Sequence, residues 1–214
     1  MATTMDALTV IGAAQVGELV WPSIFSGPGC PRAQIVQEDL AVHDIPLESC
    51  RNAENPPAAL TLATGTVPGL RRAAFGTNGL SIVTIDMKAK GAVTYAYFTF
   101  SVRLPPEYVA TETVQIAIAA GCDTTVADTS ATIDLEAHLR HATAGTVGSD
   151  LVTTSAQSIL STTLATKTFT INPAGLAAGD CLECRVTFAI CDNATVASVY
   201  GIVSNLKLLC DRKG

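Results

Sequence analysis

The chain carries runs in which apolar and polar residues alternate one by one, the pattern of strands that bury a single face. Phe98, Phe100 and Val102 alternate with Thr99, Ser101 and Arg103. Val114, Ile116 and Ile118 alternate with Gln115 and Ala117, and Ile133, Leu135, Ala137 and Leu139 with Asp134, Glu136 and His138. The pattern returns at Phe169 and Ile171, along Leu182, Cys184, Val186, Phe188 and Ile190, and at Leu206, Leu208 and Cys210. Weaker runs lie at 59–64 and 81–87. Ser155 to Ser161 reads equally as a short helical turn or an extra strand. Pro105-Pro106, Asn172-Pro173 and Gly179-Asp180 punctuate the runs with turn chemistry. No segment sustains a period of 3.6. About eight antiparallel strands with long connections predict an all-β fold, a single Greek-key jelly-roll of two sheets.

Residues 1–45 break the pattern. Pro22, Gly27-Pro28-Gly29 and Pro31 separate short apolar pieces, which predicts an extended N-terminal arm ahead of a sandwich over 46–214. The arm's Val20, Trp21, Ile24 and Phe25 need burial against the domain or a neighbour, which makes them candidate interaction residues.

Composition narrows the function. Of 214 residues only 15% are charged, against about 25% in an average soluble domain. A surface so poor in charge is weakly protected against association, so much of it is expected to meet other subunits. The net charge is −6 and the 13 Lys and Arg are scattered. Nucleic-acid binding calls for a basic stripe, so no nucleic-acid partner is expected. The longest apolar stretch, Ala7 to Trp21, holds Gln15 and Glu18 and is too short to span a bilayer. It also lacks the basic flank of a signal peptide. The expectation is synthesis in a cytoplasm, with no membrane partner.

The second half, about residues 80–214, carries an ordered set of motifs. Phe98-Thr-Phe-Ser-Val-Arg-Leu-Pro-Pro-Glu-Tyr108 precedes the strand Val114 to Ala119 and the acidic strand Ile133-Asp-Leu-Glu-Ala137. Leu176-Ala-Ala-Gly-Asp-Cys-Leu-Glu-Cys-Arg-Val186, Asp192-Asn-Ala-Thr195 and a closing strand follow. This order resembles single jelly-roll virion proteins of tailed bacteriophages, seen as capsid cement (decoration) proteins and as tail or fibre modules. The resemblance implies a structural subunit on a capsid surface, a homotrimer that clamps neighbouring major capsid proteins. Its alternative is a tail-fibre, receptor- or carbohydrate-binding jelly-roll module.

Candidate chemistry is sparse, and no catalytic residue, metal ligand or cofactor is assigned. The seven cysteines do not form a disulfide framework and are read mainly as small buried hydrophobes. Cys181 and Cys184 form a lone CxxC. Positions three apart on a strand face opposite ways, so the pair is not expected to chelate. Asp134, Glu136 and His138 share one strand face, with His141 beyond; a solvated or interface face is the expectation there. No Gly-x-Ser-x-Gly elbow is present and only His43, His138 and His141 are available as bases. Asn193-Ala-Thr195 matches a glycosylation acceptor only by chance, given the absent secretory signal. Tyr95 and Tyr97 fall opposite the core positions of their strand. They are candidate contact or sugar-stacking residues, or edge tyrosines packed under a loop.

Overall fold

The structure is a computed structural model that describes residues 38–54, 56–63, 67–72, 79–88, 92–123, 130–140, 148–192 and 198–213. The arm's Val20, Trp21, Ile24 and Phe25, and also Cys30, His141 and Asn193 to Thr195, lie outside the described residues. The chain divides into residues 1–35 and a second unit, Val36–Gly214, which holds every element below.

Among the described residues eleven strands form: β1 Glu38–Asp44, β2 Arg51–Asn52, β3 Gly69–Arg72, β4 Leu80–Val83, β5 Thr94–Arg103, β6 Val114–Cys122, β7 Ser130–Leu139, β8 Gln157–Ser158, β9 Ala165–Ile171, β10 Cys181–Cys191 and β11 Gly201–Lys213. They make two antiparallel sheets. Sheet A runs β3-β4-β11-β6-β9, and sheet B runs β2-β5-β10-β7-β8. The seven residues of β1 pair with Asp44↔Lys207 to Glu38↔Lys213 on β11, on the side of β11 that β4 also uses. The chain passes between the sheets at every step except β3–β4 and β7–β8. Strand order β1-β11-β6-β9 against β5-β10-β7-β8 is the jelly-roll arrangement of two intertwined Greek keys.

The alternating runs become the long central strands. On β5 Ala96, Phe98 and Phe100 are buried while Tyr95, Tyr97 and Ser101 face out. On β10 the buried set is Leu182, Cys184, Val186, Phe188 and Ile190. One core joins the two inner faces: Phe98, Ile133, Leu135 and Phe188 from sheet B meet Ile116, Ile118, Phe169, Leu206 and Leu208 from sheet A. Phe98 packs 6.2 Å from Phe188, ring tilted by 40°. Each such fully buried side chain is worth roughly 1.5–3 kcal/mol of transfer free energy.

The sheets approach closely where Gly201 on β11 faces Phe188 on β10. A methyl group at Gly201 would stand 2.5 Å from a Phe188 ring carbon. Reciprocal hydrogen bonds hold the spot: the Gly201 amide donates to Thr84 Oγ1 at 2.8 Å, and the Thr84 amide to the Gly201 carbonyl at 3.0 Å. At one end of the sandwich Asp150 straps the sheets together. Its Oδ1 accepts the amides of Ala137 on β7 and Val152, each at 3.0 Å, and Val152 bridges to Ile171 on β9.

Two regions differ from the sequence reading. The strand signal at 59–64 yields only isolated bridges at Ala59 and Leu62, and the local strand is β3 instead, paired to β4. Ala63 crosses over Gly69 so closely that a Cβ there would meet Ala63 at 2.5 Å. Glu38–Asp44, assigned by the sequence to the end of the arm, are hydrogen-bonded in sheet A. Ser155 to Ser161 resolves as the two-residue strand β8 followed by bends.

Candidate binding surfaces on the two outer faces

The outward positions of the two sheets differ in chemistry. On sheet A, Leu40 and Val42 project from β1, Leu209 from β11, Gln115, Ala117 and Ala119 from β6, and Thr166, Thr168 and Thr170 from β9. Leu40 is 43% exposed and Val42 56%. Over β1, β11, β6 and β9 the charges on this face, among the described side chains, are Asp211 and the Asp44–Lys207 pair at 3.8 Å, while Arg71 on β3 pairs with Asp123 at 3.1 Å toward the other edge. Asp211 is occupied in part by the amide of Thr113 at 3.2 Å.

Sheet B carries charge in rows set by the register. Thr99, Arg185 and Glu136 lie side by side on β5, β10 and β7; the next row is Ser101, Glu183 and His138, and the row on the other side is Tyr97, Thr187 and Asp134. Arg185 Nη2 lies 2.7 Å from Glu136 Oε1 and 2.6 Å from Oε2. That hydrogen bond is the main reason the Arg185 pKa is raised further. Arg140 donates to Glu183 through Nε at 2.7 Å and through Nη2. His138 Nδ1–H donates to the Gly148 carbonyl at 2.9 Å, because a carbonyl can only accept. Its Nε2 is thereby left facing Glu136 Oε2 at 3.9 Å. Arg51 Nη1 donates to the carbonyls of Glu48, Ser49 and Cys50 and so closes the turn ahead of β2.

These side chains surround a shallow depression of about 560 Å³, walled on one side by Ser49, Arg51 and Pro57. Beside it stand the two tyrosines. Tyr95 is 52% and Tyr97 37% exposed, their rings parallel within 9° and 6.3 Å apart. The Arg185 guanidinium carbon lies over the Tyr97 ring at 5.7 Å. Neither tyrosine is covered by another described segment.

The other candidates resolve as follows. Asp134, Glu136 and His138 do share a face, but Asp134 accepts the Leu135 amide and Glu136 is engaged by Arg185. Among the described residues no group of three His, Cys, Asp or Glu is placed to hold a metal ion. Cys184 is buried and Cys181 lies on the outer face, so the CxxC pair is split across the sheet. Of the described cysteines, Cys50, Cys122, Cys184 and Cys210 are buried thiols. Burial pushes the Cys50 thiol up to about 12, despite Arg51 nearby, and Cys122 to about 11. His43 turns inward on β1, its Nε2 buried without a hydrogen-bond partner. No helix among the described residues is long and apolar enough to cross a membrane.

Sequence reasoning did not single out Arg140, Glu183 or Arg185. They are outward charges on alternating strands, and only the pairing of β10 with β7 brings each to its partner.

No protein-family model matches the chain, and no curated protein matches it. Among solved structures, a xylan-binding module, CBM15, is similar at 14% identity with a TM-score of 0.45, over 82% of this chain and all of that one. The jelly-roll assignment rests on the strand order and register, not on that likeness.

Proposed function

We propose that the chain is a structural virion protein, a capsid cement subunit that lies on a protein shell through the outer face of sheet A. The contrast between the two outer faces carries the reading. Over β1, β11, β6 and β9 the first is aliphatic and Thr-rich with little charge; the second is laced with ion pairs. Permanent interfaces are more apolar than ordinary surface and are depleted in charge at their centre. The exposed Leu40 and Val42 stand on β1, which among the described residues pairs only with β11. That leaves its far edge as a place where another chain can add.

The resemblance of residues 80–214 to jelly-roll virion proteins and the low overall charge support the same reading. The partner is then the major capsid protein, and the working form a homotrimer of the 22.1-kDa chain. The enzyme reading has no support in the paired state of Glu136 and Glu183. The test is co-sedimentation of the full chain with shells assembled from the major capsid protein of its own genome. Saturable pelleting, lost in a Leu40→Lys/Val42→Lys variant that stays folded, is the expected result. A chain that stays in the supernatant at every ratio, or a variant that pellets as well as the parent, overturns the proposal.

A further inference from the structure

The outer face of sheet B has a different use, independent of what covers sheet A. Tyr95, Tyr97 and Arg185 are neighbouring flat groups: two near-parallel rings with centroids 6.3 Å apart, and a guanidinium carbon 5.7 Å from the Tyr97 ring. The depression beside them, about 560 Å³, falls within the range of small-molecule sites, roughly 300–1,000 Å³. Four of its five Arg and Glu side chains are paired with one another. Glu136 takes Arg185, Glu183 takes Arg140, and Arg51 is spent on backbone carbonyls. An ionic ligand would have to break these half-exposed pairs to gain its own.

The same pairs suit a neutral ligand rich in hydroxyls. A guanidinium has five N–H donors and a carboxylate about four acceptor positions. The Arg185–Glu136 bond uses Nη2 alone, so donors and acceptors remain side by side on a rigid sheet. A hydroxyl both donates and accepts, and can bridge such a pair without disturbing it. The tyrosines supply the apolar half, an exposed aromatic surface for a ligand that has C–H faces as well as hydroxyls. Both halves are pre-set: Arg185 is fixed by Glu136 and Tyr97, and the strand spacing places the polar rows beside the rings.

We infer that this face binds a neutral oligosaccharide. Tyr95 and Tyr97 pack against the C–H faces of the sugar rings, and Arg185, Glu136, Arg140 and Glu183 hydrogen-bond its hydroxyls. The test is titration of the full chain with a panel of neutral oligosaccharides (gluco-, xylo-, manno- and galacto-configured), with an acidic polysaccharide as comparator. Calorimetry gives the affinity, and the Arg side-chain and tyrosine ring NMR signals give the place. A neutral sugar is expected to shift those signals, with an affinity unchanged between low and high salt. Tyr95→Ala and Tyr97→Ala should each weaken binding about 3- to 10-fold, with melting temperature and shell binding unaltered. Arg185→Lys should weaken it about tenfold, since a point charge cannot replace a planar fork. Binding that survives in the Tyr95→Ala/Tyr97→Ala double variant overturns the inference. So does a panel with no neutral binder, or one in which only the acidic comparator binds and salt removes it. Shell binding is read separately, so either proposal can fail without the other.

Discussion

Gly201→Ala probes one close contact between the two sheets. The added methyl would stand 2.5 and 2.7 Å from Cδ1 and Cε1 of Phe188 and 3.2 Å from the Thr84 methyl. Neither side can yield cheaply. The Phe188 ring is fully buried and rests against Phe98 at 6.2 Å. The Gly201 backbone is held to Thr84 by two hydrogen bonds of 2.8 and 3.0 Å. Over-packing of this kind costs about 1–3 kcal/mol, and the tethered backbone argues for the upper half, about 2–3 kcal/mol. In a domain of this size each 1 kcal/mol lowers the melting temperature by about 2–4 °C, so a drop of about 4–12 °C is expected by calorimetry. The double variant Gly201→Ala/Phe188→Leu isolates the contact. Leu at 188 removes the ring atoms that clash, so the two changes should couple by at least about 1 kcal/mol, the double being less destabilised than the sum. An unchanged melting temperature in Gly201→Ala, or strict additivity in the double variant, would refute the close approach of β11 and β10.

Three further expectations follow from local features. Cys50, Cys122, Cys184 and Cys210 should resist iodoacetamide in the native protein at mildly alkaline pH and react once denaturant is added, since burial raises all four thiols; native labelling of any of them, read by mass spectrometry, would contradict their placement. Thr111 holds φ 72°, a strained value for a β-branched residue, so Thr111→Gly should gain about 0.5–1 kcal/mol after glycine's entropy cost, and a fall in the urea midpoint would count against it. The Asp86 carboxyl is raised by burial, but the Ser198 hydroxyl and the amides of Lys88 and Val199 more than reverse this and hold it below the usual 3.8; its stabilisation is therefore full above that value and lost as pH falls through the lower folded-state value. The stability gap between the parent and Asp86→Asn should accordingly close in that acid window, and a gap independent of pH would show that the hydrogen bonds do not favour the charged form.

The alternating runs made β5, β6, β7, β9, β10 and β11 legible, because each buries one face of a long strand and period two leaves no other reading. The outward placing of Tyr95 and Tyr97 and the splitting of Cys181 from Cys184 follow from the same rule. The two-residue strands β2 and β8 are too short to show a period. β3, Gly69–Arg72, is set by the crossing of Ala63 over Gly69 rather than by its own pattern. Glu38–Asp44 does not alternate, because Leu40, Ala41 and Val42 follow one another, and the Pro and Gly before it made the whole stretch resemble an arm. The candidate surfaces were half visible. Outward charges could be listed strand by strand, but β10 lies between β5 and β7 only because the chain changes sheets, and no local signal gives that order. Arg185 therefore meets Glu136, and Arg140 meets Glu183, through topology alone.

The measurement that bears most directly on the account is a cryo-EM map of capsid shells decorated with the full chain. The account predicts ordered density in which the outer face of sheet A, with Leu40, Val42 and Leu209, rests on the capsid protein, while Tyr95 and Tyr97 point to solvent. A map with sheet B against the shell, or shells that carry no density for the chain at saturating concentration, would contradict it.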